Sequence, residues 1–464
     1  MRRALAAAAA AALLLPPAAA AHGIGGVRDL PVPIWLFYYG AAIVLVVSFV
    51  ALGAVWSKPV LDRAAVGRPL PDALQRVLLS DAVTLALRAL GVALFAAVWL
   101  AAAIGSKNAF QNLGPTFVYV VFWLGVPLLS VLFGNVWRVL NPWRTLAELV
   151  VRPRRRSEPR PYPDWLGLYP AAALLFAFTA LELAFYDPSR PLALAVAIAV
   201  YSVVTWAGAA RYGSEQWFRY GDGFSVYFDL LARLAPFAVR DGRIVRRAPL
   251  SGLTTVVPRP GLLAFIAVML GSVAFDGFSR TSWWQTRLYN VQSPFLPDSI
   301  GIADLLTLLL NLSGLIGVVL LVGIVFTAAL AIARRLGHAD RSFADGIVAS
   351  LVPVALAYLV AHYFSLFIYQ GQFAIPLLSD PLGRGWDVIG TADFHPNLTL
   401  LKPSTIWYVQ AAALVTGHVC GLAVAHDRAI ALLRSSGEAL RSQYAILVLM
   451  VIYTVGGLWI LSRP

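Results

Sequence analysis

Ten apolar runs limit what this chain can fold into: residues 33–56, 82–104, 116–140, 165–185, 191–210, 259–278, 303–333, 343–370, 404–430 and 444–461, each bounded by charge, proline or glycine. About 20 apolar residues rising 1.5 Å each in a helix cross a hydrocarbon core of about 30 Å. Within lipid a helix satisfies its own N–H and C=O groups, which isolated strands and loops cannot do. The expected fold class is therefore all-α, a polytopic helical bundle of ten spans forming one transmembrane domain. Composition points the same way, with 59% hydrophobic and only 13% charged residues over 464 positions. Soluble domains carry about 25% charged residues. A net charge of +13 would suggest nucleic acid in a soluble protein, but here it reads as an arginine surplus in cytoplasmic loops. Nucleic acid is excluded as a partner, and the lipid bilayer takes its place. With Cys420 the sole cysteine, no intrachain disulfide or thiolate metal cluster is available.

The first residues have the layout of a secretory signal: Arg2 and Arg3, an Ala/Leu run to Leu15, Pro16 and Pro17, then small residues to Ala21. Cleavage is expected after Ala21, so residues 1–21 are a signal peptide and the mature chain begins at His22, outside. Alternate loops then collect twenty-four Lys and Arg on the inner side against eight on the outer, from Arg28 to Arg463. This bias places both mature termini outside a bacterial plasma membrane. The longest inner loop is 211–258, in which Glu215 to Val239 reads as a partly buried amphipathic segment at the cytoplasmic surface rather than an eleventh span. Arg152 to Pro163 reads as a basic loop near anionic headgroups.

No nucleotide-binding glycine motif, HExxH, GxSxG or CxxCH is present. Histidines and polar groups inside the spans are what remains to carry chemistry, because an ionisable group there is costly and defaults to function. His362 lies about 12 Å deep from the outer end of the eighth span and His418 near the middle of the ninth. These spans are consecutive and antiparallel, so the two imidazoles either approach one another or bond separately to neighbouring helices. His426, beside Asp427 and Arg428, reads as a solvated end residue, and His338 as part of a polar turn. The outer loop 371–402 holds Asp380, Arg384, Asp387, Asp393 and His395. With Asp276, Arg280, Trp283, Trp284 and Asp304 it forms either an outward polar chamber or an ordinary aromatic belt. His22 offers an amine and an imidazole, a chelate suited to copper, with a third nitrogen from His362 or His395. Carboxylates with one histidine would suit zinc. The Asn135 to Arg144 run reads as a helix end with snorkelling Trp and Arg, and Arg88 as snorkelling or paired with Glu182 or another carboxylate.

His22-Gly23-Ile24-Gly25-Gly26, Asp29-Leu30-Pro31-Val32-Pro33, Phe275-Asp276-Gly277-Phe278-Ser279 and Ala361-His362-Tyr363 with Gln370-Gly371-Gln372 resemble bacterial membrane proteins known as fenitrothion hydrolases. The resemblance implies cleavage of an organophosphorothioate ester, a lipophilic small-molecule substrate, and assigns no catalytic residue. Three readings follow. As a hydrolase, His362, Asp276 and His395 activate water, directly or through a divalent metal. As a small-solute or ion transporter, Arg88, Glu182, Asp304, His362 and His418 line a path. As a copper- or haem-binding protein, His22, His362 and His418 are the ligands. For the topology, a C-terminal reporter that works only outside the cytoplasm is expected to be active, and one that works only in the cytoplasm to be silent.

Overall fold

In the computed structural model, residues 33–150, 160–296 and 299–462 are described. The proposed signal segment, His22 and Arg152 to Arg156 lie outside them. Among the described residues ten helices are long and apolar enough to cross a membrane. Their main helical stretches are α1 (Ile34–Val55), α2 (Asp81–Ile104), α3 (Leu113–Phe133), α4 (Tyr169–Leu183, in the span Asp164–Leu183), α5 (Pro191–Tyr212), α6 (Leu262–Ser279), α7 (Ile300–Leu336), α8 (Val352–Gln370, in the span Ser342–Ser379), α9 (Pro403–Leu432) and α10 (Tyr444–Leu461). The chain is an all-α polytopic bundle.

Burial separates these helices into centre and rim. In α6 and α8 72% of the apolar window is buried, against 17% in α1, which leaves α1 an apolar flank for lipid. Helix α8 packs most closely on α9, and small residues permit it. A Cβ at Gly417 would fall 2.7 Å from the Pro353 carbonyl, and one at Gly421 2.9 Å from the Ser350 carbonyl. Helices that meet in lipid rely on such close approach. Helix α3 runs as a wide π-helix from Phe117 to Gly125, just before Pro127, which has no N–H to continue the ladder.

The 211–258 segment holds no helix long enough to span, and its burial goes further than the partial burial expected. It does not lie with one face in solvent: Gly223–Ala232 is a short helix with eight of its residues buried, packed among α3 and α4. Aromatic fit explains the burial, since Phe224 meets Phe122 and Phe178 edge-on and Tyr227 stacks on Trp123 at 4.9 Å. Asp222 caps its start, accepting from Ser225 N–H at 2.9 Å while Tyr201 donates to it at 2.6 Å. The buried Arg247 guanidinium caps its end, donating to the carbonyls of Ala232, Arg233 and Ala235. Burial, then Arg233 nearby, lowers the Arg247 pKa to about 10, so it stays charged at neutral pH. The strands β1 (Arg68–Pro69), β2 (Phe237–Arg240) and β3 (Arg243–Arg246) form an antiparallel sheet in the order β1-β3-β2. Asp241 and Gly242, both with positive φ, make the two-residue turn between β2 and β3.

Contacts decide three further readings. Trp137 and Trp143 are buried rather than snorkelling, and Asn135 and Asn141 donate to Asp229 and Ser225, fastening the end of α3 to the short helix. Arg88 pairs with Glu148 at 3.0 Å, not with Glu182. His426 is buried, its ring nitrogens 3.0 Å from the Trp56 carbonyl and 3.1 Å from Gln443 Oε1. Adjacent Asp427 accepts from Trp56 Nε1 and from the Val60 and Leu61 N–H groups, so the pair ties α9 to the end of α1.

A Cβ at Gly252 would lie 2.3 Å from the Arg247 guanidinium carbon. Gly252→Val and Arg247→Met are each expected to lower stability by about 2 kcal/mol, because either leaves helix-end carbonyls unsatisfied. Thermal melts in detergent should show the double variant little worse than either single one, since both remove the same cap.

Candidate functional site

The buried polar centre stands where α6 meets α8. Asp276, one turn before the end of α6, is 2% exposed. Its carboxylate accepts from His362 Nε2–H at 2.8 Å and from the Tyr363 hydroxyl at 2.9 Å, both on Oδ2. Arg280, one turn on, donates Nε–H to Oδ1 at 3.2 Å. A buried carboxylate needs such donors, and here they come from two helices. His362 and Tyr363 are neighbours on α8 whose rings meet edge-on, so a single stretch of that helix supplies both.

Glu182 of α4 belongs to the same neighbourhood. It lies within electrostatic reach of Asp276 and Arg280, and its Oε2 is buried without a hydrogen-bond partner. Tyr119, Tyr227 and Tyr363 also feel its charge. The site therefore contains two carboxylates, one imidazole, one guanidinium and surrounding phenols. Beside the imidazole is a cleft lined by Val273, Ala274, Tyr358, His362, Gly457 and Ile460. Its volume of about 10 Å³ suits on the order of one water molecule. Gly277 is required here: a Cβ would fall 2.5 Å from Ile460 Cγ2, and it faces His362 Nδ1 at 3.9 Å.

The remaining candidates are dispersed. His418 is fully buried on α9, where its Nδ1–H donates to the Leu414 carbonyl at 2.8 Å and its ring lies 5.8 Å from that of Tyr358. Tyr358, which lines the cleft of His362, thus occupies the ring position beside His418. His395 is exposed on the 371–402 loop, apart from the buried centre. That loop uses its own acids: Asp380 accepts from the Arg384 and Gly385 N–H groups, and Asp387 from the Ser379 hydroxyl and the Ala392 N–H. The Ser379 bond, followed by the backbone N–H groups, holds the Asp387 carboxyl below the usual range. Trp284 packs toward α7 through Asn311 at 2.9 Å, while Trp283 is exposed. Among the described residues no group of three or more His, Cys, Asp or Glu is placed to hold a metal, and His22 lies outside them.

Sequence reasoning missed Tyr363 as a partner, and it named Glu182 on a transport path with His362 but not beside Asp276. A polar residue one position from a suspected histidine signals little, since neighbours on a helix point about 100° apart. No family model, curated protein or solved structure matches this chain. Asp276→Leu is expected to destabilise the protein by about 3 kcal/mol, because His362 and Arg280 lose their shared acceptor. Tyr363→Phe should cost about 1 kcal/mol, a ranking that thermal unfolding in detergent checks directly.

Proposed function

We propose that this multi-pass membrane protein is a proton-coupled transporter of a small solute, with Asp276 and His362 as its proton-binding pair. One observation carries the reading. A carboxylate inside a span is bonded at once to an imidazole, a phenol and a guanidinium, with a second carboxylate in reach. Ionisable groups that lipid-embedded proteins keep in the bundle interior mark ion and proton paths. The arginine distribution supports an outward position for this end of the bundle, in a bacterial plasma membrane.

The geometry suggests how a proton moves. In the ionised pair His362 Nε2 carries the hydrogen and Nδ1 lies on the Gly277 side. A proton arriving at Nδ1 allows the Nε2 proton to pass to Asp276 Oδ2, and the imidazole is left neutral in its other tautomer. Asp276 then no longer holds Arg280 by charge, and α6 loses one restraint at its end. Release runs the steps in reverse.

A second reading keeps the ester hydrolase that the resemblance implies. The same pair is what a general base needs: Asp276 orients the ring and Nδ1 takes a proton from water, whose oxygen attacks phosphorus as the bond to the aryloxide breaks. A cleft of about 10 Å³ is too small for an ester or for a transported solute, so it favours neither reading, and function assays separate them. In liposomes with a trapped pH dye, Asp276→Asn and His362→Gln are expected to lower proton flux at least about tenfold. Flux unchanged in both variants overturns the transport reading. Aryloxide release from an organophosphorothioate that depends on His362 would instead select the hydrolase.

A further inference from the structure

Glu182 has an oxygen that the buried centre leaves bare. Its Oε2 is buried and accepts no hydrogen bond, although Asp276 and Arg280 of α6 lie within electrostatic reach. Packing sets the two carboxylates at one level. Ala180 and Leu183, on either side of Glu182, pack on the cluster of Phe275, Trp284 and Leu315, and so does Phe278 of α6. Phe275 is the residue before Asp276. An ionised carboxylate buried without donors is costly, and the fold places no donor at this oxygen.

The neighbouring donors are engaged elsewhere. The Tyr119 hydroxyl of α3 donates to the Pro188 carbonyl at 2.9 Å, while the Tyr363 hydroxyl and His362 Nε2 of α8 both serve Asp276. Tyr227, on the Gly223–Ala232 helix, feels the Glu182 charge but gives Oε2 no bond. That leaves Arg280. It gives Asp276 one bond through Nε, and its side chain is 49% exposed, so the guanidinium has room to turn.

The charges do not balance if both acids are ionised. Two carboxylates then face one guanidinium, with His362 a neutral donor to Asp276. One proton removes the excess, and like charges within reach of one another hold such a proton in common. Its position decides which carboxylate keeps the arginine. In the arrangement seen Asp276 keeps it, so the proton is on Glu182.

We infer that Glu182 and Asp276 share one proton, and that Arg280 pairs with whichever of them is ionised. This rests on the proton-coupled reading of Asp276 and makes Glu182 the second station on the same path. When the His362 relay protonates Asp276 at Oδ2, the guanidinium turns to Glu182, whose O–H bond breaks and whose proton leaves to solvent at the end of α4. One proton enters at the imidazole and one departs at Glu182, so the charge of the site is unchanged. The ion pair moves from within α6 to between α6 and α4, and proton transfer thereby changes how two helices are held together.

The test uses infrared difference spectra in detergent, wild type minus variant, which read the carbonyl stretch of a protonated carboxyl, together with proton flux in dye-loaded liposomes. Glu182→Gln is expected to remove one such band and to lower flux about tenfold. Asp276→Asn is expected to remove the same band, because Arg280 then pairs with Glu182 and ionises it. The sharing is overturned if the band survives in Asp276→Asn or if Glu182→Gln leaves it in place. Should Asp276→Asn conduct like wild type, the transport reading falls while the bands still decide the sharing. Should Asp276→Asn fail to accumulate, Glu182→Gln decides alone, and a retained band or undiminished flux refutes the proposal.

Discussion

A carboxylate in the interior of a bundle that faces lipid must find its hydrogen-bond donors in protein, and Asp276 finds them on α8 and on its own next turn. This requirement orders much of the structure. It demands that α6 and α8 stay in contact at one level, and these are the two most buried helices of the bundle. It also demands a small residue beside Asp276, where Gly277 admits Ile460 from α10. The charged centre and the apolar packing around it hold each other in place: the helices exclude water from Asp276, and Asp276 fixes how the helices meet.

The Gly223–Ala232 helix closes the other side of that centre. Its aromatic face fills the space between α3 and α4, and Tyr227 comes within reach of Glu182. A ten-residue helix is too short to span a bilayer, so both its ends need satisfaction inside the protein. Asp222 and Arg247 provide it, one by accepting N–H groups and the other by donating to carbonyls. These opposite charges are also the ones that a helix dipole favours at its start and its end.

The arginine-rich end is held differently from the rest. There the His426–Asp427 pair and the Arg88–Glu148 and Arg144–Glu215 ion pairs join segments distant in sequence, while the spans themselves meet through glycine and alanine. Polar cross-links at the rim and small residues in the middle are the two means available where lipid provides no hydrophobic drive between helices.

The ten spans were legible in the amino-acid order because each is a local property: a run of apolar residues long enough to cross lipid needs no partner to be recognised. The importance of Asp276 and His362 was legible for the same reason, as ionisable residues interrupting apolar runs. That Asp276 and His362 share a site was part of the hydrolase reading, but which other groups join them was not legible. Tyr363, Glu182 and Arg280 are assembled around Asp276 from three helices, and their meeting depends on helix rotation and tilt, which apolar runs leave undetermined. The charged residues of Glu215 to Val239 suggested a surface helix, yet Asp222, Asp229 and Arg233 find partners in the fold and the segment is buried. The β2–β3 hairpin was not read in the sequence, because its strands are too short and basic to stand out. His426 looked solvated beside two charges, and only the return of α1 to cover it made it an interior residue. Local composition determined which segments enter the membrane; the packing of helices against one another decided which polar atoms share a site, because hydrogen-bond partners are chosen by geometry across the chain and not along it.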